Sequence, residues 1–398
     1  MSWPADSADR FDAANRETLN WVLARQPLAG AFLDTKVNPL TGADYGAADG
    51  LRGPDWTYGW IQGRGLEALA SFARHYADSD PAFAERLLAR MRPLYHRLVE
   101  ISADWHAYFL YDAYMQPVRP EGTGVVSQTR PEEVFTFADA FVAKGLVAAA
   151  ALIDRPALPG HLAYLHRVVA AIESGRFQID EKVPLSPAAA AAGPDDFGPR
   201  MILLGAAGML ARAGLSAEAE PWASRFIDHV LTHHFDTELG VLRNIPGDDA
   251  FNAGHGIEFV GFAFDHLPRG ADPDLVGRLK TVLDRSLALA MRGPGIALSL
   301  SLKSKELLLP YYPWWKLPEA IRACALALRQ GDDERMATWG ERAEQAFFDN
   351  FWQPGTGYAY QTLTEAGPVD FVPATPDLDP GYHTGLSLLA AAVACPTD

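Results

Sequence analysis

The chain has 398 residues, of which 48% are hydrophobic and 21% charged, and its formal net charge is −16. Such an acidic chain, with its 34 Lys and Arg residues spread along its length, is a poor partner for nucleic acid or for an anionic membrane surface. It has no apolar run of the ~20 residues that a transmembrane helix needs. The first residues, MSWPADSADRF, lack the basic and apolar regions of a secretory signal. We therefore expect a cytoplasmic protein.

Two kinds of helical segment alternate along the sequence. The first kind is amphipathic and charged, and the second is apolar on nearly every side. A helix with a single apolar stripe lies on the outside of a protein, whereas one that is apolar all round lies inside. The predicted outer helices are 8–25, 80–101, 158–175, 216–234, 272–291 and 332–350, and the predicted inner helices are 60–74, 133–152, 198–213, 254–267, 317–330 and 382–395.

Six inner and six outer helices in strict alternation predict an all-α fold, an (α/α)6 barrel. Successive inner segments begin about 55–75 residues apart, which is the length of one helical hairpin with its loops. This spacing is a repeat period, so we expect one catalytic domain spanning residues 1–398. The aromatic and polar stretches 104–126 and 357–372 predict short β-hairpins. The alanine-rich stretch 187–193 fits either a loop or a short helix.

Four loops rich in Gly, Pro and aromatic residues run directly into inner helices. They are GPDWTYGWIQGRG from Gly53, FNAGHGIEF from Phe251, YYPWWKLPEA from Tyr311 and DPGYHTG from Asp379. Each places an ionisable side chain at or near a helix start. Helix starts gathered at one mouth of a barrel form a pocket, so we expect a proton-transfer site built from Arg64, His255, Glu258, Glu319 and His383.

His255 and Glu258 are three residues apart and therefore share one helical face. The positive end of the helix dipole disfavours imidazolium, so His255 should stay neutral and able to act as a base, while Glu258 should orient its ring. The alternative is a core histidine paired with a structural glutamate. Likewise, Glu319 could merely complement the helix dipole, and Arg64 could form a structural ion pair.

Neither a metal site nor a cofactor site is expected. His255-x-x-Glu258 is not the two-histidine spacing of zinc proteases, and no phosphate-binding or dinucleotide-binding glycine motif is present. The two cysteines, Cys324 and Cys395, lie in apolar helical contexts typical of free core thiols.

Five motifs in order along the chain resemble the N-acylglucosamine 2-epimerase superfamily, which includes cellobiose 2-epimerases and isomerases of the mannose isomerase type. The motifs are WIQGR (60–64), FADAFVAKGL (137–146), GHGIEF (254–259), WWKLPEA (314–320) and GYH (381–383). The resemblance implies an (α/α)6 barrel, in agreement with the repeat pattern.

The resemblance also implies a reaction. His255 and His383 would flank C2 of an open-chain sugar, and one of them would remove its proton to give a cis-enediol(ate). Arg64 would stabilise the oxyanion, and Glu258 and Glu319 would orient the histidines and hold hydroxyl groups, without a metal or nucleotide. The expected substrate is a mannose-like monosaccharide. The residues expected to bind it are Trp60, Tyr58, Tyr114, Arg200, Trp314, Trp315 and Lys316.

The third inner segment, FGPRMILLGA, departs from the family pattern, since Gly198 and Ile202 stand where an asparagine and a histidine are expected. Arg200, Lys303 or Lys305 could instead supply a cation for an anionic sugar. Two other functions stay open: a glycoside hydrolase using Glu258 and Glu319, and a non-catalytic binding module. The expected partner is a small sugar, and a homodimer is a possible assembly.

Overall fold

The computed structural model describes residues 3–372 and 374–394. Six inner helices form a closed ring in which each contacts the next along the chain and the last returns to the first. The last inner helix begins with the π-helical turn Tyr382–Leu386 and continues as α13. The inner helices are α2 (Gly59–His75), α4 (Phe137–Ile153), α7 (Gly198–Arg212), α9 (Ala253–His266), α11 (Lys316–Leu328) and α13 (Ser387–Ala394).

An outer helix packs against each inner helix. The first outer helix packs against the last inner helix, so the two ends of the described chain close the ring together. The outer helices are α1 (Ala8–Ala24), α3 (Pro81–Ile101), α5 (Leu158–Glu173), α8 (Glu220–His233), α10 (Pro273–Ala290) and α12 (Glu334–Ala346).

The burial of the helices follows their hydrophobic pattern. Every residue of α4 from Ala138 to Ala151 is buried, whereas α3 buries only the apolar stripe that faces the ring. The predicted (α/α)6 barrel is therefore confirmed. The second inner helix starts at Phe137 rather than 133 because Thr136 and Asp139 form a capping box, in which the Thr136 backbone N–H donates to the Asp139 carboxylate at 2.7 Å.

Short antiparallel strands occupy both stretches predicted as hairpins. In the first stretch β2 (Leu110–Tyr111), β3 (Pro117–Glu121) and β4 (Gly124–Ser127) form a sheet with β1 (Thr57–Tyr58). The Ala-rich stretch contains the short helix α6 (Pro187–Ala191). The remaining strands, mostly of two residues, are β5 (Phe235–Asp236), β6 (Val241–Leu242), β7 (Ala250–Phe251), β8 (Met291–Arg292), β9 (Gly295–Ile296), β10 (Leu300–Ser301), β11 (Tyr312–Pro313), β12 (Trp352–Gln353), β13 (Tyr358–Ala359), β14 (Thr362–Thr364) and β15 (Gly367–Pro368).

Within the described residues, no helix combines the length and the apolar character needed to cross a bilayer. Cys324 is a buried free thiol, and Cys395 lies outside the described residues.

The closest approach between α2 and α4 depends on two glycines. A Cβ at Gly63 would lie 2.6 Å from the carbonyl carbon of Phe141, and one at Gly145 would lie 2.6 Å from the carbonyl oxygen of Gly63. Because both obstacles are backbone atoms, Gly63→Ala should lower the free energy of unfolding by about 1–3 kcal/mol or more. Urea unfolding measures this change.

Gly277→Ala is the matched control, since a Cβ at this helical position in α10 meets no atom within 4 Å. We expect it to raise the free energy of unfolding by about 0.4–1 kcal/mol. Equal effects of the two substitutions would contradict the proposed backbone contact.

Candidate active site

A cavity of about 260 Å³ lies at the end of the barrel where the inner helices begin. All six inner helices, or the residues just before them, contribute to its walls, as the sequence pattern predicts for helix starts at one mouth. The wall combines ionisable and polar side chains with apolar ones. The polar residues include Arg64, Asn252, His255, Glu258, Asp379 and His383, and the apolar residues include Ile61, Phe137, Phe141, Met201 and Ile202.

Hydrogen bonds fix both the backbone and the side chain of His383. Its backbone N–H donates to Asp379 Oδ1 at 3.2 Å, and the neighbouring Tyr382 and Thr384 N–H groups donate to the same carboxylate. Gly381 permits the turn because its φ of 91° lies in the left-handed region. In the side chain, His383 Nδ1–H donates to Glu319 Oε1 at 3.0 Å, which leaves Nε2 with its lone pair free.

Two buried glutamates with different electrostatic surroundings lie beside His383. Burial alone would raise the pKa of Glu319, but the Arg322 guanidinium 3.2 Å away and the hydrogen bond from His383 bring the pKa below its ordinary value. Burial and the charge of Glu319 raise the pKa of Glu258, whose Oε1 lies 4.0 Å from His383 Nδ1. Glu319 therefore carries the negative charge, and Glu258 is the protonated member of the pair near neutral pH.

His255 lies in the first turn of α9, where Asn252 caps the helix by accepting the Gly254 N–H. The side-chain amide of Asn244 donates to His255 Nδ1 at 2.6 Å, which leaves Nε2 as the unengaged ring nitrogen. Burial, together with the charges of Lys316 and His383, lowers the pKa of His255 to about 3. The ring is neutral, as expected from the sequence, but burial rather than the helix dipole is the main cause.

The expected role of Glu258 as the group that orients His255 is wrong. Asn244 holds the His255 ring, and the nearest histidine to Glu258 is His383. The two residues are three apart on α9, but sharing a helical face does not make them partners. The Glu258 carboxyl lies beside Glu319 of α11 and His383 of the last inner helix, whereas the His255 ring lies beside Asn244.

Arg64 lines the cavity without a carboxylate partner among the described residues, since no ion pair within 4.0 Å includes it. Its guanidinium lies 4.1 Å from the centre of the Phe141 ring and 5.4 Å from those of Trp60 and Tyr382. A structural ion pair was the alternative interpretation of this residue. A cation held by aromatic rings, with its hydrogen-bond donors unused, is instead suited to an oxyanion of a ligand.

Aromatic rings form the wall between the two histidines. The Trp315 ring centre lies 5.9 Å from that of His255 and 5.4 Å from that of His383. Trp314 and Trp60 also line the cavity. Trp60 is fixed by its indole N–H, which donates to Glu181 Oε1 at 2.9 Å.

Glu181 should make stability depend on pH. Burial raises its pKa from about 4.5 to about 8. Between these values the folded chain holds a proton that the unfolded chain has lost, so the free energy of unfolding falls as pH rises. Glu181→Gln keeps the oxygen that accepts from Trp60 and Ala138 but removes this proton. We expect the variant to be more stable than the parent protein by about 3–4 kcal/mol at pH 8 and by less than about 1 kcal/mol at pH 5.

Urea unfolding at pH 5, 6, 7 and 8 measures the difference. Glu85→Gln on the exposed face of α3 is the control and should leave the pH dependence unchanged. A stability difference for Glu181→Gln that is the same at all four pH values would contradict the raised pKa.

Four of the expected substrate-binding residues lie outside the cavity wall. Tyr114 is 84% exposed in the loop before β3, and Tyr58 is buried with its hydroxyl donating to the Leu51 carbonyl. Lys316 is buried behind Trp315, where its ammonium donates to the carbonyls of Ala297 and Leu298 at 2.7 Å. Arg200 is on the side of α7 that faces the Phe226 ring of α8. Lys303 and Lys305 are not part of the wall either.

Sequence reasoning missed three residues that support the site, namely Asn244, Arg322 and Asp379. Arg322 pairs with Glu319 three residues before it, Asn244 holds His255 across eleven residues, and Asp379 acts through backbone N–H groups. Only the DPGYH segment offered a signal for Asp379, because an Asp before a helix start commonly caps it.

One oxygen or nitrogen from each of Glu258, Glu319 and His383 lies within 4.8 Å of the others, which is close enough to hold a metal ion. However, Glu319 already accepts the His383 proton and pairs with Arg322, and the guanidinium of Arg64 faces the same cavity. These cations would repel a divalent ion, so the cluster is better suited to moving protons.

Solved structures with the same fold include sugar epimerases and an isomerase. Cellobiose 2-epimerase from Bacillus thermoamylovorans matches with a TM-score of 0.74 at 15% identity, over 98% of this chain and 100% of that chain. D-mannose isomerase matches with a TM-score of 0.76 at 13% identity, over 99% and 100%. The chain shares their fold. The barrel fold that the resemblance to the N-acylglucosamine 2-epimerase superfamily implied is therefore confirmed.

Carbohydrate-cleaving enzymes have a related barrel at lower similarity. An unsaturated glucuronyl hydrolase specific for heparin matches with a TM-score of 0.57 at 10% identity, over 97% of this chain and 96% of that chain. No protein-family model and no curated protein sequence matches this chain. Because all the identities are low, the similarities establish the fold, and the reaction must be argued from the site.

Proposed function

We propose that this protein is a sugar isomerase or epimerase that transfers a proton at C1 and C2 of a free aldose through a cis-enediol(ate). The observation that supports this most directly is the pair of neutral histidines at one cavity, both beside the Trp315 ring. One of them is bound to the charged Glu319. A cavity of about 260 Å³ lies just below the range typical of drug-sized ligands, which suits a monosaccharide. The resemblance found in the sequence makes a mannose-like sugar the leading substrate.

In this mechanism His383 Nε2 removes the proton from C2 of the open-chain aldose, and Glu319 stabilises the imidazolium that results. The negative charge that develops on O1 would be stabilised by the Arg64 guanidinium, which has no carboxylate partner in the described part of the chain. Transfer of the O2 hydroxyl proton to O1, together with return of the carbon-bound proton to C1, gives the ketose. Delivery of a proton by His255 to the opposite face of C2 gives the epimeric aldose.

The electrostatics favour ketose formation over epimerisation. A proton donor at the opposite face of C2 must itself be protonated, and a pKa of about 3 leaves His255 neutral near pH 7. A neutral imidazole can still donate a hydrogen bond from Nε2–H to a sugar oxygen. His383 would then act as the single base that carries the proton from C2 to C1.

Hydrogen exchange with solvent tests the proposal. Mannose, glucose and fructose are incubated with the protein in D2O, and the label is located by NMR. Isomerisation by one base should give fructose from mannose, with partial retention of the original C2 hydrogen at C1. Complete solvent labelling at C2 of an epimeric aldose would favour two bases, and no labelling of any aldose tested would contradict the proposal.

The alternative of a glycoside hydrolase needs two carboxyl groups that face the scissile bond. Glu319 is fully buried and bound to His383. Among the described carboxylates of the wall, Asp377 pairs with Lys36 at 2.9 Å, and Asp379 accepts three backbone N–H groups. Glu258 is then the one described carboxyl group of the wall that is free to face a substrate, and a hydrolase needs two. The arrangement therefore favours proton transfer over bond cleavage.

We also propose that residues 1–398 form one catalytic domain. The cytoplasmic location, the absence of a cofactor and of nucleic-acid partners, the non-catalytic alternative and the homodimer stay predictions.

A further inference from the structure

A second group of metal-ligating side chains lies on the outer side of the barrel, away from the sugar cavity. It consists of Asp195 in the loop before α7, His229 on α8 and His234 just after α8. One potential ligand atom from each residue lies within 4.8 Å of the others. Neither the expected sugar chemistry nor the fold requires this cluster.

His234 has an unused ring nitrogen that is buried. The side chain is 1% exposed, and its Nδ1–H donates to the carbonyl oxygen of Arg243 at 3.1 Å. Its Nε2 is therefore a lone-pair acceptor, and it has no hydrogen-bond partner within the described part of the chain. The Nε2 of His229 is also buried without a partner there. Two unpaired ring nitrogens at one place are unfavourable unless something binds them.

We propose that Asp195, His229 and His234 bind one divalent transition-metal ion of the zinc type, with water completing the coordination. Two imidazole nitrogens and one carboxylate oxygen form a common ligand set for Zn²⁺. The hydrogen bond from the other nitrogen of His234 to a backbone carbonyl is the usual way in which a protein fixes the ring of a metal ligand.

The charges around the cluster are compatible with an ion. The Arg200 guanidinium opposes an added positive charge near His229, whereas the Asp195 carboxylate, itself one of the proposed ligands, favours it.

An ion here would support the sugar cavity from behind without touching the substrate. The Phe197 ring centre lies 5.3 Å from that of His234 and 6.3 Å from that of His255. Asn244, which holds His255, directly follows the Arg243 whose carbonyl holds His234. The metal would thus join α8 to the two segments that position one side of the active site.

A competing explanation for metal binding is a surface histidine pair on α8, formed by the partly buried His229 and the exposed His233. His229 and His233 are four residues apart with ring centres 4.5 Å from each other, and such a pair can chelate metal weakly without Asp195 or His234. Substitutions at His233 and His234 separate the two sites, because His233 is exposed and belongs only to the surface pair.

The test uses the full chain without a polyhistidine tag, stripped with a chelator and titrated with Zn²⁺ by calorimetry. We expect one ion per chain and a rise of Tm with Zn²⁺. His234→Gln and Asp195→Asn should each weaken binding by at least about tenfold, whereas His233→Gln should leave it unchanged. Co²⁺ should give visible absorption bands in the parent protein and in His233→Gln only.

Absence of Zn²⁺ binding by the folded parent chain would overturn the proposal. So would binding that survives Asp195→Asn and His234→Gln but is lost in His233→Gln. Asp195 is exposed, so its substitution keeps the test valid if His234→Gln fails to fold. Calorimetry and Tm do not depend on sugar turnover, so their results are separate from the proposed activity.

Discussion

His383→Gln should lower kcat by about 10²–10⁴-fold on the sugar that the protein converts, because it removes the group that takes the C2 proton. Glutamine keeps a side-chain amide that can donate to Glu319 but provides no base. The loss should extend to deuterium exchange at C2, since that exchange depends on the same proton removal. Steady-state kinetics and NMR in D2O measure the two effects.

His255→Gln should behave differently if His383 is the only base. We expect slower turnover with C2 exchange still detectable, because His255 then contributes a hydrogen bond to the sugar rather than proton removal. His266→Gln is the control, since His266 is at the far end of the same helix and outside the cavity wall. Near-full activity of both His383→Gln and His255→Gln would disprove the acid–base assignment.

Glu319→Gln should lower kcat by about 100-fold or more while changing KM much less, because the charge matters most when His383 becomes imidazolium. The carboxylate stabilises protonated His383, so its removal should lower the pKa of that ring. The base form of His383 is the active one. The acidic limb of the kcat/KM profile should therefore move to lower pH.

Glu258→Gln is the matched comparison. Its carboxyl is 2% exposed and close to the same histidine, but its raised pKa makes it a neutral acid near pH 7, which glutamine imitates. We expect the kcat of Glu258→Gln to fall by less than about tenfold, and the acidic limb of its kcat/KM profile to stay at the same pH.

Glu319→Gln also breaks the buried ion pair with Arg322 and should reduce stability by about 3–5 kcal/mol. The position of the acidic limb separates this structural effect from the chemical one. Equal losses in the two glutamate variants, with no change in the pH profile, would contradict the division of roles between Glu319 and Glu258.

The helical scaffold could be predicted from the sequence almost residue by residue. The segment predicted at 158–175 is α5 (Leu158–Glu173), and the one predicted at 198–213 is α7 (Gly198–Arg212). Errors of a few residues arise where caps decide the boundary, as at Thr136. The reason for this success is local, since the number of apolar faces on a helix determines whether it packs inside or outside.

The cavity was predicted less completely. His255, Glu258, Arg64, His383, Trp60, Trp314 and Trp315 all line it, and Glu319 lies directly behind His383. Tyr58, Tyr114, Arg200 and Lys316 do not line it. The direction in which each of these four side chains points depends on how its loop or helix packs against its neighbours.

The sequence by itself determined the double ring of helices and the end at which ionisable residues gather, because both follow from hydrophobic periodicity and from residues at helix starts. Tertiary structure alone decided which groups act together. His383 meets Glu319 across 64 residues, and His255 is held by Asn244 rather than by Glu258. Such pairings depend on the rotation and register of adjacent helices, which no pattern within one helix specifies.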